Sequence, residues 1–93
     1  MTILGSSPSS SQDAETLALH ALGWVLGDGD RAERFLALTG LTPDHLRTSL
    51  GEIGTLTAVL DFLCAHEPDL VAAADVLGVK PEELAAARRR IGR

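Results

Sequence analysis

Residues 34–47 read RFLALTGLTPDHLR, and this stretch indicates the architecture of the whole chain. A short apolar helix is expected to end at Gly40, because glycine readily adopts the left-handed conformation that closes a helix. A second helix is expected to begin at once, with Thr42 as N-cap and Pro43 in the first helical position, where a missing N–H is harmless. Residues 76–84, VLGVKPEEL, repeat these signals in the same order. The pattern predicts short helices joined by very tight turns.

The composition favours a single all-α domain. The chain has 93 residues, 45% of them hydrophobic and mainly Leu, Ala and Val, with three aromatic residues and no tyrosine. Helix-forming residues dominate and runs of β-branched residues are absent. We therefore predict a compact single-domain bundle of five or six short helices joined by tight Gly/Pro turns. It spans residues 12–93, after a disordered Ser-rich tail at residues 1–11.

Helical periodicity predicts which residues each helix buries. Helix two is expected to begin at Asp30, which starts a capping box with Glu33, and helix three is expected to end at Gly51. Helix four, from about residue 54 or 55 to 65, is the most hydrophobic and is expected at the centre of the core. Among the side chains expected to point inward are Leu26, Leu36, Leu38, Leu46, Leu50, Leu56, Val59, Leu60, Leu63, Leu70, Val71, Ala74 and Leu77.

Charge and cysteine content narrow the function classes. The net charge is −5, which disfavours nucleic acid or an acidic membrane as the default partner. Residues 80–93 nevertheless carry five bases and two acids, so an acidic body has a basic tip. One cysteine excludes an intramolecular disulfide, and no apolar run approaches a membrane span. With no secretory signal pattern near the N-terminus, we expect a cytoplasmic protein without membrane association.

Several segments together resemble a known family. They are Ala21-Leu22-Gly23-Trp24, residues 34–43, residues 58–63 with Glu67, and Gly78-Val79-Lys80-Pro81-Glu82. In this combination the chain is similar to the DUF3572 family, small proteins of unknown function found mainly in alphaproteobacteria. The resemblance covers about residues 13–92. Gly54-Thr55 departs from the family pattern, because a bulkier residue is expected there. The resemblance to this family implies no catalytic or binding residues.

Residues 70–91 also fit the spacing of a helix-turn-helix. A small residue, Ala74, precedes the turn Gly78 by four positions, and apolar Leu84 follows that glycine by six. Helix six would be the recognition helix, with its arginines near phosphates. However, Glu82 and Glu83 stand at the end that would approach the bases, and a helical hairpin satisfies the same spacing. DNA binding therefore stays the second alternative.

Residues near the end of helix four offer two weaker chemical readings. A metal site is one hypothesis, but no dependable metal-ligand spacing is matched by Asp61, Cys64, His66 and Glu67. The simpler interpretation is that Cys64 is buried and packs as a small hydrophobe, with His66 near a helix end. Asp61 is expected to cap another helix, to meet an arginine such as Arg34 or Arg47, or to face solvent. No catalytic triad or phosphate-binding loop can be assembled, so we predict no enzyme activity, no metal and no cofactor.

Taken together, the sequence predicts a small helical protein that acts by binding another protein, or a second copy of itself. Two surfaces are candidates. One is the broad apolar face of helix one around Leu19, Trp24 and Leu26, with Trp24 in the core or at its edge. The other is the basic tip formed by Arg88, Arg89 and Arg90, which could dock on an acidic partner or simply offset the helix dipole.

Overall fold

Six α-helices make up the fold in the computed structural model, which describes residues 13–91. They are α1 (Ala14–Leu26), α2 (Gly29–Thr39), α3 (Pro43–Thr48), α4 (Ile53–Cys64), α5 (Glu67–Leu77) and α6 (Pro81–Ile91). No strand occurs among these residues. The predicted all-α bundle with tight turns is thus confirmed, whereas the predicted disordered tail, residues 1–11, lies outside the described part of the chain.

The hydrophobic core lies where α1, α4 and α6 pack against one another. The fully covered side chains include Leu17, Ala18, Ala21, Leu22 and Val25 of α1, Leu56, Val59, Leu60 and Leu63 of α4, and Leu84 and Ala87 of α6. The alanines among them let the helix backbones approach closely, while the leucines fill the space between. The central position predicted for the fourth helix is confirmed.

The other three helices cover this core to different extents. α5 packs on α6, α4 and α1, whereas α2 packs on α1 and α4. Phe35 of α2 is fully buried, and its ring meets Phe62 of α4 edge to face with centroids 5.4 Å apart. α3 has only six residues, buries Leu46 alone and makes the fewest contacts with other helices. The α2–α3 side is therefore the less densely packed part of the described domain.

The turns use the signals that the sequence predicts. Gly40 and Gly78 close α2 and α5 with φ of 77° and 74°, in the left-handed region that favours glycine. The Thr42 hydroxyl accepts a hydrogen bond from the His45 N–H at 3.1 Å, with Pro43 in the first turn of α3. At α6, the Glu83 carboxylate accepts from the Lys80 N–H at 2.8 Å. These caps explain why such short helices begin and end sharply.

The predicted start of helix two is wrong by one residue, and its predicted cap is wrong by two. Asp28, not Asp30, is the N-cap, and its carboxylate accepts from the Arg31 N–H at 3.0 Å, so that α2 begins at Gly29. Asp28 has the extended backbone that an N-cap requires. Helix three likewise ends at Thr48, before the predicted Gly51.

Four side chains predicted to point inward are exposed: Leu26, Leu38, Leu50 and Val71. Leu38 is 76% exposed because it lies two positions beyond Leu36, which packs on the core, and a two-residue step turns a helix by about 200°. The same step separates Val71 from buried Ala73. Leu26 lies at the end of α1, and Leu50 lies beyond the end of α3, so neither is carried into the core.

Candidate functional site: a leucine groove beside α3

The residues of the predicted apolar surface on α1 differ in their solvent exposure in the structure. Leu19 is exposed, whereas Trp24 is half-buried at the edge of the core. The Arg31 guanidinium lies 3.6 Å from the centre of the Trp24 ring, and its Nη2 donates to the Trp24 carbonyl oxygen at 2.6 Å. This cation–π contact covers one face of the indole and ties the start of α2 to the end of α1. Trp24 therefore joins two helices within the domain.

The basic tip is partly engaged inside the domain. Arg88 Nε donates a hydrogen bond to Asp61 Oδ1 of α4, and this contact raises the pKa of the guanidinium. Sequence reasoning suggested Arg34 or Arg47 for Asp61, and both suggestions are wrong because α6, rather than α2 or α3, lies beside this face of α4. Arg89 and Arg90 are exposed. Of the five predicted site residues, Trp24 and Arg88 thus make contacts within the domain, whereas Leu19, Arg89 and Arg90 are exposed.

Cys64 is exposed at the end of α4, so its predicted burial is wrong. It stands at the last residue of the helix, past the stripe that ends with Leu63. Partial burial of the thiol raises its pKa, and the nearby Asp61 carboxylate raises it further, while Arg88 and Arg89 oppose the shift. The thiol therefore stays protonated over a wider pH range than usual, unlike the thiolate of a catalytic cysteine.

Polar residues at the start of α5 form a structural cluster. Arg34 Nη2 lies 3.1 Å from Asp69 Oδ2, and His66 Nδ1 lies 3.0 Å from the same oxygen. The Asp69 side chain is 14% exposed, and the Arg34 guanidinium lies over the Phe62 ring at 5.5 Å. These contacts join α2, α4 and α5 and leave Asp69 little access. Within residues 13–91, no group of three or more His, Cys, Asp or Glu side chains is arranged to hold a metal ion.

Residues 70–91 form the hairpin of α5 and α6 around the left-handed Gly78. Leu84 and Ala87 of α6 are buried against the domain body. The exposed side of its first turn carries Glu82 and Glu83, and Arg88 farther along is paired with Asp61. No described contact tests DNA binding, so the helix-turn-helix reading stays a prediction.

Among the surface depressions described within residues 13–91, the most apolar is one that sequence reasoning did not find as a site, although it named Leu26. We call it the leucine groove: Leu26 of α1, Leu36 of α2, Pro43, Leu46 and Arg47 of α3, and Leu50 after α3. It has a volume of about 280 Å³, and five of its six lining residues are apolar. Its floor is the buried Leu46, while Leu26 and Leu50 are each more than one-third exposed at its margins. An apolar cleft is thus open to solvent.

The leucine groove forms because α3 ends before Leu50, so that the helix buries Leu46 but not the next leucine. Leu46 enters the core, but the helix ends at Thr48, and Ser49 turns inward in place of Leu50. The Thr55 hydroxyl then donates to the Ser49 hydroxyl at 3.0 Å, which fixes this turn against α4. The sequence does not mark this early end, because the eight residues from Pro43 to Leu50 are enough for two helical turns, and only the structure shows that α3 ends at Thr48.

Two other depressions described within residues 13–91 are less apolar than the leucine groove. One lies on α5 alone, lined by Glu67, Pro68, Val71, Ala72 and Asp75, so no second element walls it. The other, of about 250 Å³, lies between the α2–α3 turn and the start of α4 and is lined by Thr39, Leu41, His45, Glu52, Gly54, Thr55 and Ala58. A Cβ at Gly54 would meet no other atom within 4 Å, so the local packing would accept a larger residue there.

Comparisons with known proteins supply a family. No curated protein and no solved structure matches the chain significantly. None of the described helices is long and apolar enough to span a membrane. The family model described as "Protein of unknown function (DUF3572)" matches residues 11–93, nearly the whole sequence. The chain therefore belongs to the DUF3572 family.

Proposed function

We propose that this protein is a protein-interaction module and that the leucine groove is its binding surface. The observation that carries the proposal is the open apolar cleft between α1, α2 and α3, with Leu26 and Leu50 exposed at its margins. Exposed apolar surface that surrounds a cleft is typical of a site that a partner covers. Covering these two partly exposed leucines contributes about 1 kcal/mol per side chain to binding.

The size and chemistry of the leucine groove favour a protein partner over a small molecule. Its volume of about 280 Å³ is slightly below the usual range for small-molecule pockets, and it suits one or two inserted side chains. Arg47 is its one ionisable lining residue. Such a cleft offers few polar groups to orient a metabolite, but it matches an apolar anchor of another protein.

The experiment is capture of the tagged protein from its native cells, with and without nuclease, in wild-type and variant forms. Leu50→Asp introduces a charge into the leucine groove at a site beyond α3, where folding is expected to tolerate it. Leu38→Asp is the matched control, because Leu38 is 76% exposed and lies outside the groove. We expect a stoichiometric partner that resists nuclease, is lost with Leu50→Asp and is kept with Leu38→Asp.

Contrary results point to specific alternatives. Equal capture by Leu50→Asp and Leu38→Asp would exclude the leucine groove, and Leu19→Asp and Arg89→Gln would then test the two surfaces predicted from the sequence. Capture that depends on nucleic acid and weakens steeply with salt would favour the helix-turn-helix alternative. Sedimentation of the purified protein tests the homodimer, which a concentration-dependent mass abolished by Leu50→Asp would support.

A further inference from the structure

The arginines of α2 and α3, the helices that line much of the leucine groove, are already engaged within the domain. Arg31 lies over Trp24, and Arg34 is paired with Asp69. Arg47, the one base that lines the groove, has its Nη1 2.8 Å from Asp44 Oδ1. The positive charge of this region is therefore neutralised or directed into the domain.

One carboxylate beside the leucine groove is more available than these arginines. Glu33 precedes Leu36 by three positions on α2, so the two side chains are neighbours on the helix surface. Glu33 is exposed and forms no ion pair within residues 13–91. Asp44 pairs with Arg47, so these two residues together add no net charge beside the groove. The net charge next to the apolar floor is therefore that of Glu33, and the chain as a whole has a net charge of −5.

We propose that the leucine groove binds an amphipathic helical segment of a partner protein that carries lysine or arginine beside its apolar anchors. This inference rests on the proposed function and specifies its partner. Two leucine-sized side chains three or four positions apart on a helix lie on one face, about 5–6 Å apart, and suit a cleft of this size. A basic residue next to them would pair with Glu33, which gives the complementary charge.

The test uses two fluorescent peptides of equal length and defined sequence. Both carry the same leucine spacing, but lysines flank the apolar face of one peptide and glutamates flank that of the other. Binding to the full chain is measured by fluorescence anisotropy at low and at physiological salt. We expect the lysine peptide to bind roughly twofold to fivefold more tightly, as one exposed ion pair would give, and the difference to shrink as salt increases.

Three variants test which residues determine peptide binding and the preference between the two peptides. Glu33→Lys is expected to weaken the lysine peptide and to strengthen the glutamate peptide. Asp75→Lys makes the same change in net charge on α5, outside the leucine groove, and is expected to leave the preference between the peptides nearly unchanged. Leu50→Asp is expected to remove the binding of both peptides. Circular dichroism of each variant verifies that the helices are retained.

Several outcomes would overturn the inference. They are equal or tighter binding of the glutamate peptide, the same response to Asp75→Lys as to Glu33→Lys, and no binding of either peptide. If cellular capture still depended on Leu50 in those cases, the leucine groove would remain the binding surface and the partner class alone would be wrong. If Leu50→Asp changed neither capture nor peptide binding, the proposed function would fail as well.

Discussion

α4 and α3 show how helix length decides what a leucine does in this protein. α4 has twelve residues and buries six of them, including Leu56, Leu60 and Leu63. α3 has six residues and buries Leu46 alone, while the next leucine, Leu50, lies beyond its end and is 39% exposed. A helix of three turns presents a continuous stripe to the core, whereas a helix of less than two turns provides one anchor. The leucine groove is the surface that this difference leaves open.

The largest expected effect is on stability, from truncating one leucine on each side of this comparison. Leu60→Ala in α4 removes a fully buried side chain, and we expect it to lower the free energy of unfolding by about 2–5 kcal/mol. Leu50→Ala beside α3 is expected to stay within about 1 kcal/mol of wild type, because the side chain already contacts water. Urea denaturation followed by circular dichroism measures both. Similar losses for the two variants would show that Leu50 belongs to the core.

A second prediction contrasts two glycines that border these helices. Gly40, between α2 and α3, has a φ of 77°, so Gly40→Ala is expected to cost about 1–2 kcal/mol. Gly54, in the first turn of α4, has no left-handed backbone and open space around it. Gly54→Ala is therefore expected to stabilise the protein by about 0.4–1 kcal/mol, through a less flexible unfolded chain. Thermal unfolding of both variants checks whether the two shifts have opposite signs.

A third prediction concerns the contact that joins α2 to the core. Arg31→Gln removes the cation from the Trp24 ring, and we expect a loss of about 1 kcal/mol in stability. It should also shift the emission of Trp24, the one tryptophan in the chain, to longer wavelength, because the ring gains access to water. Arg34→Gln is the control, since Arg34 lies over Phe62 and pairs with Asp69. An unshifted emission maximum in Arg31→Gln would contradict the role given to this contact.

The smallest expected effects are on the thiol at the end of α4. The raised pKa of Cys64 predicts that alkylation by iodoacetamide accelerates only at a higher pH than for an unfolded cysteine peptide. Asp61→Asn removes a charge that raises this pKa, so the midpoint of the rate profile should move to lower pH. Arg89→Gln removes a charge that lowers the pKa and should move the midpoint to higher pH. Shifts in the same direction would refute this electrostatic account.

The same thiol gives a pH dependence of stability with a defined sign. Its pKa is higher in the folded chain than its ordinary value, so the folded state holds the proton more tightly. The associated stability is fully present below the ordinary pKa of cysteine and is lost as the pH rises through the folded pKa. Cys64→Ser is expected to lack this alkaline loss in denaturation curves measured across that pH range.

Most of the fold was predictable because its signals are local. The cap at Thr42, and the glycines that end α2 and α5, act through atoms within four residues of each other. The stripe on α4 followed from helical spacing alone, and four short segments in combination indicated the DUF3572 family. The wrong cap at Asp30 was a local error, because Asp28 and Asp30 offer the same chemistry two positions apart.

The candidate site was much less predictable, because each of its parts depends on contacts between helices. Local patterns in the sequence predicted five or six short helices and their tight turns, since these properties follow from neighbouring residues, and the acidic charge of the chain follows from its composition. Tertiary structure alone decided that Arg88 is the partner of Asp61, that Arg31 covers Trp24 and that Cys64 is exposed. It also decided that Leu26, Leu36 and Leu50 meet around Leu46, because a groove between three helices depends on how their surfaces pack rather than on any one pattern along the chain.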